Sequence, residues 1–147
     1  TAKLGLDETG LKHTRFEQTG VAVEHLIQAR LLAKGFSVST PSIDSGYDLI
    51  VDANDGILNR LQVRATASVQ SIPNRKGRPP RKYYRVKASG QGIGNWSILV
   101  VYIVPEDSVY FIPWTVAKKT NMLAIPVGKP SRYDEYKENY KVLQTTH

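Results

Sequence analysis

The side chains of Asp48, Gln62 and Arg64 are predicted to meet at one point of this protein. They occur in two stretches, residues 47–52 and 57–66, whose β-branched and alternating apolar residues are typical of β-strands. Side chains alternate between the two faces of a strand, so Gln62 and Arg64 share a face. A buried polar group without a partner costs about 1–3 kcal/mol. The pattern therefore indicates either a functional site or an ordinary Asp–Arg cross-strand pair near a solvated edge.

The turn at residues 54–56 decides which residues of the two strands face each other. Its Asn-Asp-Gly sequence is a strong hairpin signal, because Asp-Gly readily supplies the positive φ values of a tight connection. The strands are therefore predicted to be antiparallel neighbours. Folding at this turn predicts Asp48 opposite residue 63, or opposite residue 61 if the turn moves by one residue. In both registers Gln62 and Arg64 are its neighbours.

An α-helix is predicted over residues 14–34 from the helical spacing of its apolar positions, and Gly35 is expected to end it. Glu24 lies within this helix. The simplest interpretation of a single helical carboxylate is a solvated residue on an exposed face. Nothing in the helix alone brings Glu24 to the hairpin.

The remaining segments predict further strands and two more helices. Strands are predicted at residues 36–40, 83–89, 96–104 and 109–113, a short helix at 114–119, a proline-rich loop at 122–130 and a closing helix at 131–143. The glycine-rich stretch at 90–95 is a poor phosphate-binding loop, since a strand and not a helix follows it. The tyrosines of the closing helix are expected to pack on the sheet.

Composition and charge narrow the classes of function. The chain has 147 residues with 41% hydrophobic content, which suits one domain over residues 1–147 with a loose lead-in at 1–13. Its net charge of +7 favours a polyanionic partner. The absence of cysteine excludes disulfide scaffolds and thiolate zinc sites. With no apolar run of membrane-spanning length, a cytoplasmic location without membrane contact is expected.

A basic segment at residues 70–82 is predicted to be a loop, because prolines and a glycine interrupt it. Its cations would project into solvent, where phosphates can reach them, although a solubilising loop would have the same composition. Two further cations follow on one face of the next strand. The predicted nucleic-acid-binding residues are Arg75, Lys76, Arg78, Arg81, Lys82, Arg85 and Lys87.

The order of these motifs resembles the PD-(D/E)xK nuclease superfamily, and within it the intron-encoded homing endonucleases and small Holliday-junction-resolvase-like nucleases. The resemblance rests on the spacing of Gly20, Glu24 and Gly35, on the Y-D-L-I-V-D strand at 47–52 and on the following L-Q-V-R-A-T strand. It implies a restriction-endonuclease-like fold, which is a three-layer α/β/α sandwich with a mixed central sheet.

The resemblance also implies roles for individual residues. Asp48 matches the metal-binding aspartate of the family, Gln62 the position that is usually acidic, and Glu24 an additional helical carboxylate. With the Val63 carbonyl, these residues would offer Mg²⁺ or Mn²⁺ the hard oxygen ligands that such ions prefer. No small-molecule cofactor is expected.

Arg64 departs from the family pattern, which has lysine at this position. Arginine stays charged and can contact a phosphate, but it is practically never deprotonated and cannot activate water. The first hypothesis is therefore a metal-dependent endonuclease of duplex DNA, and the second a catalytically degenerate DNA-binding protein on the same scaffold; RNA remains an open alternative substrate.

A homodimer or a dimer of dimers is expected, because cutting both strands of a duplex requires two sites. Candidate interface residues are Trp114, Met122 and the tyrosines of the closing helix, which could equally complete the core.

Overall fold

A computed structural model describes residues 15–43, 45–88, 96–145 and 147 of the chain. The predicted lead-in at 1–13 and the glycine-rich stretch at 90–95 lie outside these residues. The elements, in chain order, are α1 (Arg15–Ala33), β1 (Ser37–Ser39), β2 (Leu49–Asp52), β3 (Leu58–Thr66), β4 (Val69–Ile72), β5 (Arg81–Lys87), β6 (Ile98–Ile103), β7 (Ser108–Pro113), α2 (Trp114–Ala117) and β8 (Met122–Pro126). Short 3-10 helices occupy Val104–Glu106, Asp134–Tyr136 and Tyr140–Gln144.

The central sheet has five strands in the order β1-β2-β3-β6-β7. β3 and β6 are parallel, and the other neighbours are antiparallel, so the sheet is mixed as predicted. Every residue of β6 and β7 is buried. This agrees with the unbroken apolar sequence of these two strands, because strands covered on both faces need no polar alternation.

Two outer layers cover this sheet. On one face, α1 packs through Val23, Ile27 and Leu31 against Leu61 and Val63 of β3. On the other face lies a second sheet of three strands, in the order β4-β5-β8, together with α2. Alternate residues of β3 therefore face opposite layers, with residues 61, 63 and 65 towards α1. This confirms the predicted division of the strand into two faces.

The end of α1 follows the signal in its sequence. Gly35 has a φ of +94°, in the left-handed region that favours glycine. The N–H of Phe36 donates to the carbonyl of Leu31 at 3.1 Å, and that of Gly35 to the carbonyl of Leu32 at 3.0 Å. These two bonds form a Schellman motif, which satisfies the last carbonyls of the helix. No helix in the described residues is long and apolar enough to cross a membrane.

The basic segment at 70–82 is not a simple loop, and this prediction is wrong. Residues 69–72 form β4 and pair with residues 81–84 of β5, so the connecting loop is confined to residues 73–80. The prolines of this segment lie only in this loop and leave the flanking strands free to pair.

The prediction of a proline-rich loop at 122–130 is also wrong, because residues 122–126 form β8 on the other side of β5. A proline at the end of a strand on a sheet edge does not interrupt the pairing.

The closing helix predicted at 131–143 is replaced by two 3-10 turns. Glu138, between them, has a φ of +51° and donates its N–H to the carbonyl of Val109 in β7 at 2.7 Å. Pairing with the edge of the sheet therefore interrupts the helix. The tyrosine spacing nevertheless serves packing as predicted, since Tyr133 is buried and Tyr140 packs on Phe111 with ring centroids 4.8 Å apart. Trp114 likewise packs on Trp96, at 5.0 Å.

Asn59 of β3 anchors the end of the chain. This buried side chain donates from Nδ2 to the carbonyls of Leu143 and Thr145, both at 3.1 Å, and accepts from the Ser97 hydroxyl at 2.9 Å. Its removal would leave three polar groups without these partners.

We expect Asn59→Ala to lower the free energy of unfolding by about 2 kcal/mol, within the range for buried polar groups that lose their partners. Asn121→Ala is the matched control, because that side chain is exposed and makes no hydrogen bond within the described residues. Urea titrations of both variants measure the difference. Equal stabilities would show that Asn59 does not anchor the chain end.

Candidate functional site

The site lies where β2 begins and leaves one edge of β3 uncovered. Pairing between the two strands runs from Leu49 opposite Leu61 to Asp52 opposite Leu58. From Gln62 onwards, β3 pairs with β6 on one side, and within the described residues no strand pairs with its other side. On this open side, the backbone N–H and C=O groups of β3 have no partner strand among the described residues. They face Asp48, the residue that precedes β2.

Asp48 is that residue, and its carboxylate takes the place of the missing strand. Its Oδ2 accepts the backbone N–H of Val63 at 2.7 Å and Nε2 of Gln62 at 2.8 Å. Its own N–H donates to the carbonyl of Leu61 at 2.8 Å. Hydrogen bonds to a charged acceptor are the stronger kind, so this carboxylate holds the edge of β3 and the Gln62 side chain together.

The observed register differs by one residue from both predicted ones. Continuing the pairing of Leu49 with Leu61 places Asp48 opposite Gln62, and not opposite residue 63 or 61. The hairpin closes through residues 53–57, with Ala53 donating to the carbonyl of Ile57 at 3.2 Å. An odd number of connecting residues shifts the register by one from that of a two-residue turn. The shift brings Asp48 opposite Gln62 at the edge of the sheet, where both the Gln62 side chain and Glu24 of α1 reach its carboxylate.

Gln62 and Val63 present oxygen atoms at this edge. Gln62 is 8% exposed, and its Nε2 is engaged by Asp48, which leaves Oε1 as the acceptor. The N–H of Val63 points to Asp48, and the N–H and C=O of a strand residue point to the same side. The Val63 carbonyl is therefore directed towards the open edge as well.

Glu24 reaches the same point from α1. It is half-buried and hydrogen-bonds the Asp48 side chain. Burial, followed by the negative charge of Asp48 and their hydrogen bond, raises the pKa of Glu24 to about 7. Glu24 therefore faces Asp48 and not bulk solvent, and both its burial and the negative charge of Asp48 favour its protonated form.

Arg64 lies two residues beyond Gln62 on the same face of β3 and is half-buried. No ion pair joins it to Asp48, so the interpretation as an ordinary Asp–Arg pair is wrong. Asp48 uses Gln62 and Val63 as its partners instead. Within the described residues, the Arg64 side chain makes no hydrogen bond or ion pair. Its charge is therefore available to a ligand at the site.

The carboxylate, amide and carbonyl oxygen atoms at this edge suit a divalent cation that takes only a few of its ligands from protein. The described part of the chain contains no group of three or more His, Cys, Asp or Glu residues that could hold a metal. Two carboxylates do converge, those of Glu24 and Asp48, beside the Gln62 amide. Mg²⁺ typically binds one or two carboxylates and completes its shell with water and substrate phosphate, so this donor set fits it.

A second polar cluster, which the sequence did not indicate, holds α1 in place. Arg30 donates from Nη2 to Oδ1 of Asp107 at 2.5 Å, and the Tyr102 hydroxyl donates to the same oxygen at 2.5 Å. Arg30 also lies 3.8 Å from Oε1 of Glu138. Arg30 follows Glu24 on α1 by less than two turns, so this cluster fixes the helix that carries Glu24. Its members are too far apart in sequence for any local pattern to connect them.

The predicted nucleic-acid-binding residues are all exposed, and the structure places them on the β4–β5 hairpin. Three lie in its loop and four on β5. The loop residues are Arg75, Lys76 and Arg78, and the β5 residues are Arg81, Lys82, Arg85 and Lys87.

Comparison with known proteins identifies the class. The sequence profile of the PD-(D/E)XK endonuclease family matches residues 14–142, so the chain belongs to this family. The solved structure of a bacterial homing endonuclease, I-Ssp6803I, is similar with a TM-score of 0.66 and 20% sequence identity, over 87% of this chain and 93% of that one. This likeness confirms the restriction-endonuclease-like fold. No curated protein matches the sequence.

The raised pKa of Glu24 makes a prediction about stability. Between its ordinary pKa of 4.5 and about 7, the folded chain holds a proton that the unfolded chain releases, so this residue costs stability as pH rises through that window. In EDTA, we expect the free energy of unfolding to fall by about 1 kcal/mol between pH 5 and pH 8 through Glu24, a value discounted for solvent screening of a half-exposed group.

Urea titrations at the two pH values measure this effect. Glu24→Gln should remove the contribution of Glu24 to the change in unfolding free energy between pH 5 and pH 8. Glu135→Gln, a control at an exposed position, should show the same change as wild type. A Glu24→Gln variant with the full wild-type difference would contradict the raised pKa of Glu24.

Proposed function

We propose that this chain is a divalent-metal-dependent endonuclease that hydrolyses phosphodiester bonds of duplex DNA. The observation that carries the proposal is the convergence of the Glu24 and Asp48 carboxyl groups beside Gln62 at the open edge of β3. Membership of the PD-(D/E)XK endonuclease family supports the nuclease chemistry. The excess of seven positive charges supports a polyanionic substrate.

Asp48, Glu24, Oε1 of Gln62 and the Val63 carbonyl would hold the metal, Mg²⁺ or Mn²⁺. When bound, such an ion polarises the phosphate and lowers the pKa of a water molecule near it. The protein prepares the place by fixing Asp48 through two hydrogen bonds, of 2.7 and 2.8 Å, so that the carboxylate does not need to reorient. Gln62 is fixed by one of the same bonds.

Arg64 contacts the phosphate in this proposal. Its guanidinium remains protonated, so it neutralises charge that develops on the phosphate oxygens and takes no proton from water. Its location on the same face as Gln62, without a protein partner among the described residues, supports this role. The proposal therefore assigns no proton transfer to Arg64.

Assembly into a homodimer or a dimer of dimers completes the proposal. One chain supplies one Asp48 site, and two chemical events are needed to cut both backbones of a duplex. A two-fold arrangement of chains matches the pseudo-two-fold symmetry of duplex DNA. Since Trp114 and the tyrosines of the closing segment pack within the chain, Met122, which is 40% exposed, is the remaining candidate of the predicted interface residues.

We expect the wild-type chain to cut plasmid DNA with Mg²⁺ or Mn²⁺ and Asp48→Asn to lose at least about 100-fold of this activity. Asparagine keeps an acceptor for Val63 and Gln62 but loses the charge that holds the cation, so the fold is retained. Asp52→Asn, at the other end of β2, is the matched control and should cut normally, because among the described residues the Asp52 side chain accepts only the N–H of Asn54.

Agarose gels distinguish nicked from linear plasmid in the same assay, and linear product at the first turnover indicates paired sites. Cutting that survives both Asp48→Asn and EDTA would show that the site is elsewhere.

Variants of Arg64 distinguish this function from a second candidate, which is DNA binding without cleavage by a catalytically degenerate nuclease. The observation that favours the second function is arginine where the family pattern has lysine. If Arg64 serves the phosphate, Arg64→Lys should keep cutting within about tenfold of wild type, because the charge is retained, and Arg64→Ala should lose about 100-fold. A wild-type chain that does not cut DNA, but cuts it after Arg64→Lys, would instead show that the chain is a catalytically degenerate nuclease.

A further inference from the structure

β4 and β5 end in a loop that reaches beyond β8, which pairs with residues 83–87 of β5. All four residues of β4 are exposed, as are Arg81 and Lys82 of β5 opposite them. Between residues 67 and 88 the sequence contains seven Lys and Arg residues and no Asp or Glu. A basic ribbon without any carboxylate is complementary to nucleic acid along its whole length. The major groove of B-DNA, which is about 12 Å wide, admits a two-stranded β-ribbon such as the tip of this hairpin. Arg85 lies behind the tip, where β8 also pairs with β5.

The seven cations of the hairpin fall into two groups. Six have no side-chain hydrogen bond or ion pair within the described residues. Arg85 differs, because its Nη1 donates to Oε1 of Gln70 at 3.1 Å. Gln70 faces Tyr83 across the ribbon, so the bond draws the Arg85 guanidinium onto the outer face of β4 and β5. Flexible cations suit phosphates, whereas a guanidinium held in one orientation suits recognition of a base edge.

We infer that Arg85 reads a guanine in the major groove and that Gln70 is the residue that positions it. The inference rests on the proposed function, because it requires duplex DNA as the ligand. With Nη1 bound to Gln70, the guanidinium retains further N–H donors that can pair with O6 and N7 of guanine. The other cations contact phosphates and give affinity without sequence preference.

The connection between the site and the ribbon limits where this guanine lies. Only Ala67 and Ser68 separate β3 from β4. Gln70 follows Arg64 by six residues, which span at most about 20 Å in an extended chain. The Arg64 and Arg85 side chains add to this span, so the guanine lies within about one helical turn of DNA, roughly ten base pairs, of the cleaved phosphate.

The test uses the full chain carrying Asp48→Asn, which is expected to keep the fold and to cut at least about 100-fold more slowly. Selection from a pool of randomised duplexes first identifies the preferred sequence, and binding is then measured on duplexes with and without the preferred guanine over a range of salt. We expect Arg85→Lys to reduce the preference for guanine by about tenfold or more, since lysine cannot make the bidentate contact. Affinity for the duplex without that guanine should stay within about twofold, and the salt dependence should not change.

Two further variants separate readout from electrostatic attraction. Lys76→Ala should weaken binding to both duplexes equally and reduce the slope of log affinity against log salt by about one. Gln70→Ala should lower the preference for guanine without changing that slope. Gln70→Glu, which still accepts from Arg85, should retain the preference while affinity for all duplexes falls.

The possible results distinguish the inference from the proposed function. A guanine preference that survives Arg85→Lys, or binding by the parent protein without any sequence preference, overturns the inference and leaves the nuclease proposal intact. Failure of the parent protein to bind any duplex overturns both. Loss of the preference in Arg85→Lys but not in Lys76→Ala supports the assignment of Arg85.

Discussion

The Asp48 carboxylate at the open edge of β3 is the interaction on which the candidate site depends. β2 begins one residue later, so the backbone N–H of Val63 would have no strand partner on that side, and Oδ2 of Asp48 accepts it at 2.7 Å. The same oxygen fixes the Gln62 amide, and Glu24 hydrogen-bonds the same side chain. One side chain thus closes an incomplete β-ladder and concentrates negative charge there. Burial raises the pKa of Glu24 and the negative charge of Asp48 raises it further, and a cation would relieve this repulsion.

β3 joins this site to the surface that faces DNA in our proposal. Its first half pairs with β2, its second half carries Gln62 and Arg64 past the end of β2, and after two residues the chain enters the basic hairpin. The opposite end of the strand is held through Asn59, which binds the closing segment of the chain. Because backbone segments of this kind are stiff, the distance from the proposed metal ligands to the hairpin is set by the sheet and not by a flexible linker.

Local signals in the sequence predicted the elements whose causes are local. Gly35 ends α1 because it adopts a positive φ, and alternation along β3 separates its two faces. Three outcomes depended on distant partners and could not be seen locally. Residues 69–72 become a strand because β5 pairs with them, Glu138 breaks the closing helix because β7 binds its backbone, and Arg30 meets Asp107 across 77 positions. The register at Asp48 was missed by one residue, since the hairpin closes through five residues instead of two.

Arg64 is a half-buried cation without a carboxylate partner among the described residues. A half-buried guanidinium loses part of its hydration, and proteins ordinarily compensate such a charge with a carboxylate. Here the nearest acidic position along the hairpin, Asp48, is occupied by Gln62 and Val63, and within the described residues no other group pairs with Arg64. Its compensation must therefore come from water or from an anion bound at the site. A phosphate beside Glu24 and Asp48 would meet repulsion from both carboxylates unless a cation and Arg64 offset it. Arginine at this position thus makes the site suitable for a phosphate, and in the proposed reaction it takes no proton from the attacking water.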